Sequence, residues 1–255
     1  MNSIANAISD VIVMTERNII RYRRIPQLLV FSTVQPVMFL LLFNYVFGGA
    51  ITLGGQSADK YIQFLLPGII IQTALFGSSQ ASVGIAEDMK SGLIDRLRSL
   101  PIAGFSVIMG KVLADTIRNI LVVIIMVAVG FLLGFRFGGT ILDGMLGLYI
   151  AVLFGFAFSW ISVSIGLLVK DPEAALPAGF LWIFPLVFAS GIFVPVKTMP
   201  EWLQKFALNQ PVTKAVDATR GLMSNPNGAT SGEIFSALAW VFGITAVFLT
   251  LSVFL

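Results

Sequence analysis

Cysteine and histidine are both absent from this chain of 255 residues. Without cysteine there are no disulfides, thiol nucleophiles or thiolate metal ligands, and the redox compartment stays open. Without histidine the chain also lacks the usual zinc ligand sets and the side chain that most often exchanges protons near neutral pH. We therefore expect no metal site and no catalytic residue in this chain.

Charged residues are scarce as well, and this scarcity points to one class of protein. They make up 11% of the chain and hydrophobic residues 57%, with a mean hydropathy of +0.93, whereas a soluble domain is about 25% charged. The net charge of +3 is typical of lysines and arginines that flank membrane helices, so we expect no nucleic-acid partner. The composition predicts an integral membrane protein.

Six apolar runs predict an all-α integral membrane fold with six transmembrane helices in a single domain, residues 1–255. A helix of about 20 residues satisfies its own backbone and crosses a hydrocarbon core of about 30 Å. The predicted spans are residues 28–47, 61–85, 116–135, 145–169, 174–194 and 235–255. Pro177 and Pro185 predict a kink in the fifth span. A face of small residues on the fourth predicts close approach of another helix; it comprises Gly155, Ser159, Ser162 and Gly166.

Residues 1–24 precede the first span and have the pattern of an amphipathic helix. Apolar side chains such as Ile8 and Ile12 recur at helical spacing, while arginines fall on the other side. Pro26 interrupts the chain where it would turn into the bilayer. We predict an interfacial helix whose arginines lie near lipid headgroups; the alternative is a soluble helix packed on a partner.

Positive charge predicts the orientation of the chain. The four arginines before the first span are tightly clustered, and the first helix usually dominates topology; they are Arg17, Arg21, Arg23 and Arg24. With the N-terminus in the cytoplasm, nine lysines and arginines outside the spans lie inside and six lie outside. We predict a multi-pass protein of the bacterial plasma membrane with both termini cytoplasmic.

The loop between the second and third spans, residues 86–104, carries an unusual density of charge. Six of the fifteen residues 87–101 are charged in a chain that is 11% charged overall. We call residues 87–101 the charged elbow. Because turning the chain does not require so many charges, the elbow is predicted to be a cytoplasmic docking element; the alternative is a solvated turn.

Residues 195–233 form the longest predicted stretch between spans. Pro200 stands at a helix start, and Trp202, Leu203 and Phe206 share one helical face. We predict short amphipathic helices here, on the extracytoplasmic side, that dip partly into the outer leaflet.

Polar side chains within the spans are few, and an unpaired amide in hydrocarbon is costly. Those in the first two spans include Gln35, Asn44, Gln72 and Gln80. They are predicted either to join helices by hydrogen bonds or to line the path of an amphiphilic substrate.

Three charged residues stand at the start of the third span. Lys111, Asp115 and Arg118 follow one another at spacings of four and three, which places them on one helical face. They are predicted to pair, either as an ion cluster at a helix end or as a buried relay.

Short motifs are spread along nearly the whole chain. They are TERN at 15–18, RYRR at 21–24, QP at 35–36, VFGG at 46–49, EDMKSGLIDRLRSLPI at 87–102, FVPV at 193–196, MPEWL at 199–203, NQPVT at 209–213 and DATRGL at 217–222. In this order they resemble the ABC-2 type permeases, and within them the daunorubicin-resistance-type drug exporters.

The resemblance implies a permease that works with a separate ATPase subunit, which binds ATP and Mg. In such exporters two six-span permeases pair with two ATPases, and a coupling helix in the first cytoplasmic loop sits in a groove of the ATPase. The residues that would make this contact are Glu87, Asp88, Lys90, Gly92, Leu93, Asp95, Arg96, Leu97, Arg98, Leu100 and Pro101. Residues 195–220 would form the outer helices that close the exit.

The chain itself is predicted not to be an enzyme and to hold no cofactor. Its nearest match to a phosphate-binding loop, residues 104–112, has five residues between the glycines and Val112 at the last position. The Walker A pattern has four residues there and needs Ser or Thr to reach magnesium.

We therefore predict the permease subunit of an ATP-driven exporter that moves amphiphilic drugs or lipids outward, with an ATPase, a second permease copy and membrane lipids as partners. One alternative is export of a cell-envelope glycan or glycolipid. An ion-coupled secondary transporter would need an intramembrane carboxylate or histidine, and the chain offers only Asp115 and Asp143 near span ends. A membrane assembly factor without transport activity is the third alternative.

Overall fold

The computed structural model describes residues 2–47, 58–99 and 104–255. Within these ranges the regular structure is helical throughout, as predicted. The α-helices are α1 (Asn2–Arg24), α2 (Pro26–Leu42), α3 (Ala58–Lys90), α4 (Leu93–Arg98), α5 (Gly104–Leu132), α6 (Ile141–Val169), α7 (Pro172–Phe188), α8 (Glu201–Asn209), α9 (Pro211–Ser224) and α10 (Ser231–Phe254). A π-helical turn, Phe43–Phe47, continues α2, and a 3-10 turn, Val196–Thr198, precedes α8.

Five helical segments in the described part of the chain are long and apolar enough to cross a membrane. They are Leu29–Val46, Tyr61–Lys90, Gly104–Leu132, Ile141–Val169 and Ser231–Phe254. These agree in position with the first, second, third, fourth and sixth predicted spans, although α5 begins about three turns before the predicted residue 116. An all-helical fold with several apolar helices is confirmed.

The fifth predicted span differs from the prediction in its length. The helix ends at Phe188, after 17 residues, rather than at residue 194, and Pro177 and Pro185 lie inside it. Gln210, the residue before α9, binds the carbonyl that follows the end of α7: its Nε2 donates to the Ala189 oxygen over 2.5 Å. Because the last carbonyls of a helix need such partners, the end of α7 depends on a segment more than twenty residues away.

The centre of the bundle is formed by α3 and α6, which approach each other along the predicted small-residue face. A Cβ atom on Gly166 would overlap the carbonyl oxygen of Ser82, and one on Gly155 would lie 3.1 Å from Cβ of Ala74. Large side chains such as Trp160 and Phe154 are fully buried beside this contact. The predicted close approach of another helix is confirmed.

The N-terminal helix α1 packs along α5. A Cβ atom on Gly110 of α5 would lie 2.5 Å from Cβ of Met14, and Asn18 and Tyr22 continue the buried stripe of α1. The stripe that the sequence predicted as apolar is partly exposed instead, with Ile8 57% and Ile12 60% accessible. One side of α1 is therefore held by its own chain, and its location at a membrane surface stays a prediction.

The segment between α7 and α10 contains two helices of different character. On α8, Trp202 is 73% exposed and only Ala207 is buried. On α9 the apolar residues Val212 and Val216 are fully buried. This segment lies at the end of the bundle opposite α4, since the hydroxyl of Ser224 donates to the Gln63 carbonyl near the start of α3.

Candidate functional site

The charged elbow begins where α3 ends. Gly92 has a φ of 67°, a left-handed conformation that costs glycine little, and it separates α3 from α4. On α4 the side chains of Asp95 and Arg96 are exposed, while those of Leu93 and Leu97 are partly buried. The predicted contact residues Leu100 and Pro101 lie outside the described residues, as does the side chain of Arg98.

The two carboxylates of the elbow face α1. Oδ2 of Asp88 lies 3.4 Å from Nη2 of Arg17, and the Arg21 guanidinium donates to Glu87. Two arginines four residues apart on α1 thus meet two adjacent acids on the last turn of α3, a contact between helices that spacing along the sequence does not indicate. Both carboxylates join the elbow to the N-terminal helix, and their predicted contact with an ATPase stays a prediction.

A third ion pair joins the elbow to α7. Nζ of Lys90 donates to Oδ1 of Asp171 over 2.7 Å. The same aspartate caps α7, since its side chain accepts from the backbone N–H of Ala174. The hydrogen bond from Lys90 holds the pKa of Asp171 below its ordinary value. The elbow is thereby tied to the starts or ends of three helices, α1, α3 and α7.

The apolar side of α4 faces its own chain. Ile94 and Leu97 line a groove of about 360 Å³ with residues of α5, α6 and α10, among them Phe105, Leu167 and Leu255. Leu97 was predicted as one of the residues that contact the ATPase. In the described structure it lines this groove, and its contact with an ATPase stays a prediction. The exposed charged side chains described on α4 are those of Asp95 and Arg96.

Three of the four predicted path residues meet in one polar cleft. Gln35, Gln72 and Gln80 line a cavity of about 50 Å³ between α2, α3, α5 and α7, a volume that holds a few water molecules. Asn44 lies on the π-helical turn after α2, away from the described residues that line this cavity. We call the cavity the polar cleft. Its role as a substrate path stays a prediction.

Arg118 supplies the charge of the polar cleft. Its Nη2 donates to the Gly77 carbonyl over 2.7 Å and lies 3.5 Å from Oδ1 of Asp115. The Tyr22 hydroxyl donates to the same Asp115 oxygen. The predicted pairing of Asp115 with Arg118 is confirmed, and both are buried inside the bundle rather than placed at a solvated helix end.

Lys111, the third member of the predicted cluster, is also buried, with its ammonium against Gly84 of α3. The sequence placed these three charges on one face correctly. It did not reveal that Arg118 reaches the polar cleft, because the helical period defines a face and not what packs against it.

The chain was compared with known protein families and proteins. Residues 9–224 match the family described as ABC-2 type transporter. The chain belongs to this family. The matched range includes the charged elbow and all residues of the polar cleft.

Individual relatives of this ABC-2 chain are permeases by name. The daunorubicin resistance ABC transporter permease protein DrrB1 of Streptomyces coeruleorubidus is 32% identical over 97% of this chain and 86% of its own length. The probable doxorubicin resistance ABC transporter permease protein DrrC of Mycobacterium tuberculosis is 25% identical over 94% of this chain and 85% of its own length. The putative transport permease ycf38 of Cyanophora paradoxa is 25% identical over 89% of the chain and 79% of its own. Family and helices together make this a multi-pass membrane protein.

Proposed function

We propose that this chain is the permease subunit of an ATP-driven exporter that moves amphiphilic drugs or lipids out across the bacterial plasma membrane. The observation that carries the proposal is the full-length similarity to permeases named for daunorubicin and doxorubicin resistance. The elbow adds a structural argument, since it presents charge outward on a helix that is tied to the rest of the bundle.

The topology we propose has six spans, with α7 as the fifth. Its 17 residues have a length of about 25 Å, close to the thickness of a hydrocarbon core. It begins beside Lys90 at the elbow, and the chain just after it reaches Tyr61 at the opposite end of α3, where the Tyr61 hydroxyl donates to the Phe193 carbonyl. Because this segment runs the length of α3, it crosses the membrane if α3 does. Six spans place both termini and the elbow on the same side, and the arginines before the first span assign that side to the cytoplasm. Helices α8 and α9 then lie outside.

The elbow is proposed to be the contact with a separate ATPase subunit, which binds ATP and Mg. Asp95 and Arg96 are exposed and available for a polar interface. Glu87, Asp88 and Lys90 lie on the last turn of α3, and their ion pairs join that turn to α1 and α7. We propose that a displacement of α4 reaches α3 across the turn at Gly92 and is passed on to α1 and α7. A flexible loop would absorb the same displacement.

A second permease copy completes the proposed exporter. The second copy is either identical to this chain or a related permease, since proteins named DrrB and DrrC occur in the same strain of Mycobacterium tuberculosis. The proposed complex therefore contains two permease chains and two ATPase subunits.

Charge reversal on α4 tests the proposal. The chain is purified with its ATPase subunit, and ATP hydrolysis is measured with Arg96→Glu and with Lys197→Glu, an exposed cation at the opposite end of the bundle. We expect Arg96→Glu to release the ATPase or to lose the dependence of hydrolysis on the permease, because a carboxylate replaces a cation in a polar contact. Lys197→Glu should leave both unchanged. Equal behaviour of the two variants would contradict the proposed coupling.

A further inference from the structure

The polar cleft lies next to an apolar groove on α2. The groove has a volume of about 450 Å³ and is lined by Phe31, Val34, Gln35, Met38, Phe39 and Leu42. Gln35 and Phe39 line the polar cleft as well. The two cavities therefore share these two side chains and lie next to each other, the cleft polar and the groove apolar.

The described lining of the polar cleft carries positive charge only. Among its described lining residues the only ionisable side chain is that of Arg118, and the others are amides, hydroxyls and apolar groups. Asp115 neutralises part of this charge from behind, but it does not line the cleft. A group that enters the cleft therefore meets N–H donors of a guanidinium and of amides, which favour an anion over a cation.

One polar atom of the cleft lacks a hydrogen-bond partner. Oε1 of Gln72 is buried and has no hydrogen bond in the described structure. Buried polar atoms are hydrogen-bonded in the great majority of cases, and the exceptions call for an explanation. Oε1 is an acceptor and Gln72 lines the cleft together with Arg118, so water or a ligand group that carries an O–H, such as the P–OH of a singly ionised phosphate, would satisfy it.

We infer that the cleft and the groove together bind one amphiphile that has a compact anionic head group, with an alkyl phosphate as the chemical class. This inference rests on the proposed function and names its substrate class. The head group pairs with Arg118 in the cleft, and the chain lies along α2 against Phe31 and Met38. A volume of about 50 Å³ admits a head group of a few heavy atoms but not a fused ring system, and the exposed apolar face of α2 suits a hydrocarbon chain.

Paired probes of opposite charge test the inference directly. Dodecyl phosphate and dodecyltrimethylammonium have the same chain and opposite head groups. Their binding to the permease–ATPase complex in nanodiscs of zwitterionic lipid is measured by calorimetry without ATP. We expect at least tenfold tighter binding of the phosphate, and a gain in affinity from octyl to dodecyl phosphate as more of the groove is filled.

Three cleft variants and one control assign this preference to the cleft. Arg118→Gln should reduce the preference to within twofold, and Arg118→Lys should keep most of it. Arg136→Gln removes an exposed arginine from another helix end and should change nothing. Gln35→Glu keeps Arg118 in place and adds a carboxylate at an exposed position that both cavities share, so it should weaken binding of the phosphate tenfold even where Arg118→Gln does not fold.

The outcomes separate this inference from the proposed function. Binding that ignores head-group charge, or a preference that survives both Arg118→Gln and Gln35→Glu, overturns the inference and leaves the exporter proposal standing. Unchanged ATP hydrolysis in Arg96→Glu counts against the exporter proposal and does not bear on head-group preference. A preference for the ammonium probe in the native complex would also overturn the inference.

Discussion

The Tyr22 hydroxyl donates a hydrogen bond to Oδ1 of Asp115, which joins α1 to α5 in the interior of the bundle. Arg118 lies 3.5 Å from the same Asp115 oxygen, with its guanidinium carbon 5.3 Å from the centre of the Tyr22 ring. Burial, followed by the negative charge of Asp115, raises the pKa of Tyr22 above its ordinary value, so the hydroxyl keeps its proton and remains a donor. Through Arg118 this contact connects α1 with the polar cleft.

Replacing Tyr22 by phenylalanine should destabilise the protein. The substitution leaves a buried carboxylate oxygen without its donor, which costs about 1–3 kcal/mol. Tyr149→Phe is the matched control, because Tyr149 is 59% exposed and its removal should change stability by less than about 0.5 kcal/mol. Thermal unfolding of the purified complex in detergent measures both. Equal melting temperatures for the two variants would show that the hydrogen bond adds nothing.

The contact between Arg21 and Glu87 is predicted to act in coupling rather than in stability. Their side chains are 35% and 40% exposed, and ion pairs of that kind contribute less than about 1 kcal/mol. Arg21→Glu should therefore lower permease-dependent ATP hydrolysis while the melting temperature changes little, because the elbow loses one of its two ion pairs with α1.

The reciprocal exchange is the control for this pair. Arg21→Glu combined with Glu87→Arg restores opposite charges and should recover most of the hydrolysis that the single substitution removes. The measurement is a double-mutant cycle on ATP hydrolysis. A double variant as impaired as the single one would mean that Arg21 acts through some other contact.

Close packing of α1 on α5 should make Gly110 intolerant of a side chain. A Cβ atom there would lie 2.5 Å from Cβ of Met14 and 3.0 Å from the backbone of Met14 and Thr15. Since backbone atoms cannot move aside easily, Gly110→Ala should cost about 1–3 kcal/mol of stability. Gly243→Ala is the control, because nothing lies within 4 Å of that position on α10 and alanine favours a helix by about 1 kcal/mol. Melting temperatures that move in the same direction would contradict the predicted packing.

Hydropathy was sufficient to place most of the helices, and local pattern was insufficient to place their partners. The long apolar runs determine where helices cross, because backbone hydrogen bonds must be made within each span. The end of α7 depended on Gln210, a residue distant in sequence, so its position could not follow from the run itself. Likewise the period of α1 indicated a helix, but the buried stripe includes Asn18, a polar residue that hydropathy assigns to the surface.

For the charged elbow and the polar cleft, too, the sequence indicated the residues but not their partners. The unusual charge of the elbow and the rare amides of the spans were visible as residue types, and three of the four amides do meet in one cleft. Arg118 was visible only as a member of an ion cluster, since its access to the cleft is created by α2 and α3. Partners of buried polar groups are a property of tertiary packing, which a single sequence does not record.

The last prediction concerns pH and the end of the bundle opposite the elbow. Oδ1 of Asp217 lies 3.8 Å from Nη1 of Arg220 on α9, and Nε of Arg220 donates to the Phe64 carbonyl of α3 over 3.0 Å. Burial lowers the pKa of Arg220 to about 10, so it stays charged at neutral pH. Burial raises the pKa of Asp217 above its ordinary value of 3.8 despite the nearby arginine, and Glu233 adds to the rise while Lys214 opposes it.

A raised pKa means that the folded protein binds this proton more tightly than the unfolded chain does. The free energy of unfolding should therefore fall as pH rises from about 3.8 through the folded pKa of Asp217, and Asp217→Asn should remove that part of the pH dependence. Melting temperatures at pH 4 and pH 7 measure the effect, with Glu201→Gln, an exposed acid at the same end, as the control. We expect the native protein to lose more stability than Asp217→Asn between these two pH values, because only the native protein must then ionise a partly buried carboxyl. Identical pH dependence in the two proteins would show that the ion pair with Arg220 fully offsets the cost of burial.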